Sequence, residues 1–165
     1  MKRLIQTFVL VFATAFGAIP ASANTSSANL QVSVTVDAAC SISTTPVAFS
    51  SYAPLGGNAS TPDDSTGTVT VRCSTGTVAN IGLDCGITCA AGVRHMKSGS
   101  DLLSYDLYQN TSRTTEWGNG IGSWLTTPAA SDSNPQVYTV YGRIPAAQSA
   151  PPGSYADTVV ATVNF

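Results

Sequence analysis

His95 is the only histidine in the chain, so a Ser-His-Asp hydrolase would have to be built around it. Serines and aspartates are plentiful, yet no nucleophile elbow of the form Gly-x-Ser-x-Gly occurs. His95, with Arg94 and Lys97, therefore reads as a solvated or structurally hydrogen-bonded basic cluster. Asp84, Asp101 and Asp106 are the carboxylates one would test for a glycosidase pair. Nothing in their spacing supports one, and turn capping or strand-edge solvation is the default. No catalytic residue is expected, and no cofactor.

Cysteine chemistry offers two readings. Four thiolates can hold zinc, but Cys40, Cys73, Cys85 and Cys89 contain no Cys-x2-Cys knuckle. An even count in an exported chain reads instead as disulfides. Three pairings are possible, and Cys40–Cys73 with Cys85–Cys89 is favoured. The first closes a loop of about 30 residues, worth about 3–4 kcal/mol in the chain-entropy model. The second demands a turn at Gly86–Thr88, because residues four apart on a strand lie about 13 Å apart and a disulfide needs Cα atoms within about 7 Å. Trp117 and Trp124 bracket a glycine-rich loop, Gly118–Ser123. Such tryptophans either stack on a sugar or partner surface or plug the end of a fold.

The elements that must position these residues begin after an address. Lys2 and Arg3 precede an apolar stretch, Leu4–Ile19, and Ala21-Ser22-Ala23 is a small-x-small cleavage site. Residues 1–23 are read as a signal peptide cut after Ala23, since the stretch is short of the roughly 20 residues a spanning helix needs. That leaves 142 of 165 residues, one domain by length. Arg72, Arg94, Lys97, Arg113 and Arg143 face nine acidic residues, a net charge of −4 after cleavage. With no basic stripe, nucleic acid is not an expected partner.

Helical periodicity is absent from the rest, and strand signals recur between Gly/Pro/Ser/Asn clusters. Strands are expected at Leu30–Val36, Cys40–Thr44, Gly67–Cys73, Val78–Asp84, Leu103–Gln109, Gln136–Ile144 and Ala156–Phe165, with a short pairing segment near Val47–Phe49. Ser50–Thr66, Gly92–Asp101 and Asn110–Pro135 read as turn-rich. The fold class is all-β, a sandwich of the immunoglobulin type. Setting Leu30–Val36 aside leaves about six strands where that fold needs about seven. Leu30, Val32, Val34 and Val36 alternate with polar residues, so they share one face. Such a strand belongs most often to its own domain. Here it follows a mobile, linker-like stretch, Asn24–Asn29, and could leave.

The residues resemble a family, the spore coat protein U domain, which also forms subunits of archaic, Csu-type chaperone–usher pili. The resemblance runs from about Leu30 to Phe165. It is carried by Cys40, Val71-Arg72-Cys73, Arg94 with Met96, Leu103-x-Tyr105-Asp106-Leu107-Tyr108, Trp117-Gly118, Tyr141-Gly142-Arg143-Ile144-Pro145, Gly153-Ser154-Tyr155-Ala156-Asp157-Thr158 and the closing Val163-Asn164-Phe165. It departs at Ser50, where the family often has glycine, and in the Cys85/Cys89 pair, which not every member carries.

The resemblance implies an incomplete immunoglobulin-like β-sandwich over residues 37–165, completed by a donor strand. A periplasmic chaperone lends that strand beside Ala156–Phe165, and at an outer-membrane usher the leading segment of the next subunit replaces it. Residues 24–36 match this donor segment. Val159, Ala161, Val163 and Phe165 share one face of the last strand and would line the acceptor groove. Head-to-tail exchange does not close on itself and yields a filament at the cell surface, a pilus or coat serving adhesion and biofilm. The alternative is a minor or tip-proximal binding module that recognises a surface or sugar through the Trp117–Trp124 loop.

Overall fold

A computed structural model describes residues 22–165. The expected signal peptide, apart from its last two residues, lies outside them. The chain divides at Thr35/Val36 into two units. In the leading one, Leu30, Val32 and Val34 are 86–88 % exposed. Residues 22–39 carry neither helix nor strand, so the strand expected at Leu30–Val36 is absent. A lone strand has no ladder to satisfy its backbone, and two-strand pieces are already marginal in water.

The unit Val36–Phe165 is all-β, and its strands follow the hydrophobic period of the sequence. They are β1 (Cys40–Thr45), β2 (Asp63–Cys73), β3 (Asn80–Leu83), β4 (Arg94–Ser98), β5 (Asp101–Tyr108), β6 (Leu125–Thr126), β7 (Gln136–Ile144) and β8 (Ala161–Asn164). In β2, Gly67, Val69, Val71 and Cys73 are buried while the residues between them are not. Leu103, Tyr105 and Leu107 do the same in β5, and Val140, Gly142 and Ile144 in β7. Period two thus aims one face of each strand at a common core.

All pairings are antiparallel. One sheet has the order β1-β2-β7-β5-β4, the other β6-β3-β8. The two are joined by a core of which Val69, Ile81, Leu83, Leu103, Leu107, Trp117 and Ile144 are members. Five strands therefore face only three.

Several expectations need correction. The end of the turn-rich stretch Ser50–Thr66 belongs to β2, which starts at Asp63 rather than at Gly67. Gly92–Asp101 is not merely turn-rich: it holds β4, whose Arg94-His95-Met96-Lys97 run hides a strand behind its charges. Asn110–Pro135 contains β6, only two residues long. The last strand is regular over Ala161–Asn164 rather than Ala156–Phe165, although Ala156 forms an isolated bridge with Lys97. Val47–Phe49 forms no strand, but Val47 and Phe49 pack against the core. Their approach explains Gly142, where an added Cβ would lie 2.6 Å from Val47 and 2.8 Å from Phe49.

Trp117 and Arg94 close the sandwich from within. Trp117 is fully buried, and its indole Nε1–H donates to the Ile81 carbonyl at 2.8 Å. Its backbone N–H donates to the Leu107 carbonyl of the opposite sheet. Arg94 is 3 % exposed. Its guanidinium donates to the carbonyls of Asp84, Leu83 and Trp117 at 2.7–3.0 Å, groups that would otherwise lack partners at the end of β3. Arg94 therefore does not belong to a solvated basic cluster. Trp117→Ala should cost roughly 3–5 kcal/mol in denaturant unfolding, as large-to-small core changes do.

On the outer surface Arg143 grips Asp64 with two hydrogen bonds of 2.8 Å, and Arg113 lies 3.2 Å away. The Arg143 hydrogen bonds hold the Asp64 carboxyl below its ordinary value. A lowered folded-state value stabilises the fold above the unfolded carboxylate range, and that support is lost as pH falls through the folded value. Asp64→Asn should therefore flatten the acid limb of the stability curve, read by thermal unfolding between about pH 7 and pH 2.

Candidate functional site

Five strands pack against three, and a groove is left beside the core they form, its floor residues themselves buried. Val69, Leu103, Tyr105, Leu107, Val140 and Ile144 form the floor of a groove of about 850 Å³. One wall is the end of β1 and the segment after it, Thr44 to Tyr52. The other is the C-terminal stretch from Ala150 to Ala161. The groove is thus a cleft with a buried floor and partly buried walls that include Val47, Phe49 and Val159.

Sheet edges explain where something would bind. The four edge strands are β1, β4, β6 and β8. β4 carries Arg94 and Lys97, and β6 is two residues long, so both are poor templates for a further strand. β1 (CSISTT) and β8 (ATVN) carry neither charge nor proline. These two undefended edges belong to different sheets, and Thr44, Thr45 and Ala161 from them line the groove.

The disulfides brace both flanks. Cys40 and Cys73 are directly opposite in the β1–β2 register, bonded with Cα atoms 4.1 Å apart, so the β1 edge cannot peel away. Cys85 and Cys89 are also bonded, with Cα atoms 5.4 Å apart across a turn in which Gly86 has φ +84°.

The groove-facing residues expected on the last strand divide. Val159 and Ala161 line the groove. Val163 instead packs half-buried against the core opposite Ile81, and Phe165 is 58 % exposed. Leu30, Val32, Val34 and Val36 remain exposed. Trp117 is removed from any surface-binding loop by its burial, because its ring serves the core. Trp124 stays half-buried beside an exposed Ile121.

No side chain hydrogen-bonds the ring of His95, so no charge relay is formed there. Asp84 accepts the N–H groups of Gly86 and Val160, a turn-capping role. Asp106 accepts from Tyr108, its own strand neighbour. Among the described residues, no three histidines, cysteines or carboxylates converge as metal ligands would.

Residues that sequence reasoning undervalued sit at one end of the groove. The carboxylate of Asp157 accepts from Tyr105 Oη at 2.7 Å, from Thr88 Oγ1 at 2.9 Å and from the Thr88 N–H at 3.2 Å. Burial, reinforced by the bond to Asp157, pushes the Tyr105 hydroxyl far above its usual range, so it stays a donor. The Ala156-Asp157-Thr158 motif was the available signal, but it could not identify partners 52 and 69 residues away.

Val159→Asp should abolish binding of an apolar fluorophore by the folded chain while leaving the near-ultraviolet circular dichroism of buried Trp117 unchanged. A charge on the groove wall removes the apolar site, and the Trp117 signal reports whether the core that Val159 packs against stays folded.

Residues 26–162 match the Spore Coat Protein U domain. Over 160 residues the chain is 38 % identical to Protein U of Myxococcus xanthus, with 88 % of each sequence covered. It is also similar, at 30 % identity and a TM-score of 0.57, to a chain in the crystal structure of the CsuC-CsuE chaperone-tip adhesion subunit pre-assembly complex from archaic chaperone-usher Csu pili of Acinetobacter baumannii. That match covers 79 % of this chain but 40 % of the solved one, so this chain spans less than half of its length.

Proposed function

We propose a function from one premise: this chain belongs to the Spore Coat Protein U domain family. It is an exported structural subunit of a chaperone–usher pilus or coat, without catalytic activity, and it polymerises by donor-strand exchange. Residues 24–36 of one copy supply the donor, and the groove between β1 and β8 of the next copy receives it. Before assembly a periplasmic chaperone occupies that groove, and an outer-membrane usher is where the exchange takes place. Secretion follows removal of residues 1–23, and the fibre serves attachment at the cell surface.

One observation carries the reading: an apolar groove lies between two undefended strand edges in a chain that also presents an exposed period-two segment. A strand laid along β8 would extend the three-stranded sheet and roof the floor of the other. Each of Leu30, Val32, Val34 and Val36 would then contribute roughly 1.5–3 kcal/mol of burial, before ordering costs. Main-chain hydrogen bonds add to this as the strand joins the sheet. A heterologous, non-closing contact of this kind builds a filament. The binding-loop alternative loses its main support with the burial of Trp117.

A synthetic peptide of residues 29–36 should raise the melting temperature of the purified chain, because only the folded state offers the groove. The same peptide carrying Val34→Asp should not. In cells producing the proposed chaperone and usher, the Val34→Asp chain should yield no polymer. Wild-type polymer yield from that variant, or from a chain lacking residues 24–36, sinks the donor assignment.

A further inference from the structure

The later part of the C-terminal stretch that walls the groove, residues 156–160, is held from outside. Ala156 exchanges backbone hydrogen bonds with Lys97 at 2.9 and 3.2 Å. Asp157 is gripped by Thr88 and Tyr105. The Thr158 carbonyl accepts the Ile87 N–H at 3.1 Å, and Val160 is bonded to Asp84 through both its N–H and its carbonyl. Val159 has no such tie; it lines the groove with Ala156, Asp157 and Thr158, and of this run it is the residue that packs against the core. Two of the holding N–H donors, Ile87 and Thr88, lie inside the small loop that Cys85–Cys89 closes. Gly86 in that loop sits so close to Asp157 that an added Cβ would collide with its carboxylate.

The two disulfides differ in access. Cys73 is 8 % exposed and lies in the core, whereas Cys89 is exposed at the surface. Thiol–disulfide exchange needs a thiolate to reach a sulfur, so the outer bond reacts first.

We propose that Asp157 and the Cys85–Cys89 loop are positioning elements for the groove: they fix the wall carrying Val159 where an incoming strand needs it, and an external dithiol can release that hold. The proposal rests on the donor-strand reading above. In the release step the Cys85–Cys89 bond breaks, each sulfur gains one electron and one proton, and the dithiol closes to its own disulfide. The loop then no longer confines Ile87 and Thr88, and residues 157–160 lose their register against it.

The test titrates a fluorescent peptide of residues 29–36 into the full chain. Asp157→Ala and the double variant Cys85→Ser/Cys89→Ser should each weaken binding about ten-fold or more, the scale of a lost hydrogen bond to a charged group. Asp157→Asn should stay within about three-fold of wild type, since its oxygen still accepts from Thr88 and its amide can donate to Tyr105 Oη. Wild type treated with a mild dithiol, with Cys40–Cys73 verified intact by mass mapping, should match the double-serine variant. Should Asp157→Ala fail to fold, Thr88→Val and the dithiol treatment carry the test, both expected to weaken binding. If the wild type binds the peptide and the folded variants bind equally well, the positioning role is wrong while the donor reading stands. If Asp157→Asn is as weak as Asp157→Ala, charge rather than geometry matters, and the positioning role again fails. No binding to the wild type overturns both readings.

Discussion

A β-sandwich excludes water from its core only when each inward-facing side chain meets another layer, and here the layers are unequal. The five-stranded sheet carries Val69, Leu103, Leu107, Val140 and Ile144, none more than 5 % exposed, as the buried floor of the groove beside β8. Hydrophobic burial scales with area removed from water. The apolar surface still open to water lies on the partly buried walls of the groove, among them Val47, Phe49 and Val159. Most other features of the fold can be understood as keeping this unfinished core in shape.

The braces surround the gap. Cys40–Cys73 ties the β1 edge to its neighbour, and Trp117 hydrogen-bonds both sheets on the buried side. Arg94 spends its donors on carbonyls at the end of β3, where no further ladder exists. A buried guanidinium is costly unless its hydrogen bonds are made, so this cation marks a place where the backbone had no other partner. Asp157 does the comparable task for the opposite wall, joining Tyr105 on one sheet to the turn after β3. Rigid walls matter to a receptor for a strand because a preorganised edge lowers the ordering cost of binding.

Edge chemistry distinguishes the four sheet edges. β4 is defended by charge and β6 by brevity, leaving β1 and β8 as the strands that can accept a partner. The proposed fibre uses this liability in a controlled way. Its donor is a segment with strand chemistry that is exposed in its own chain.

Local pattern was enough to make much of this legible. Gln136–Ile144 is a strand with the bounds its alternation predicts, β1 and β5 shift by one or two residues at their ends, and Cys40–Cys73 follows from strand spacing and compartment. The apolar period of Leu30–Val36 was equally plain, but whether it forms a strand depends on a ladder partner that no local pattern supplies. β4 was missed because Arg94, His95 and Lys97 mask its alternation, and the burial of Arg94 could not be foreseen from its charge. Period two assigned Val159, Ala161, Val163 and Phe165 to one face, yet only the packing of β8 on β3 determined that the groove stops at Ala161. The sequence by itself determined the all-β class and the strand chemistry of segments such as Gln136–Ile144. Tertiary structure decided which edges stay open and which distant groups hold them, because those outcomes depend on contacts between residues far apart in the chain, and side-chain period reports only on neighbours.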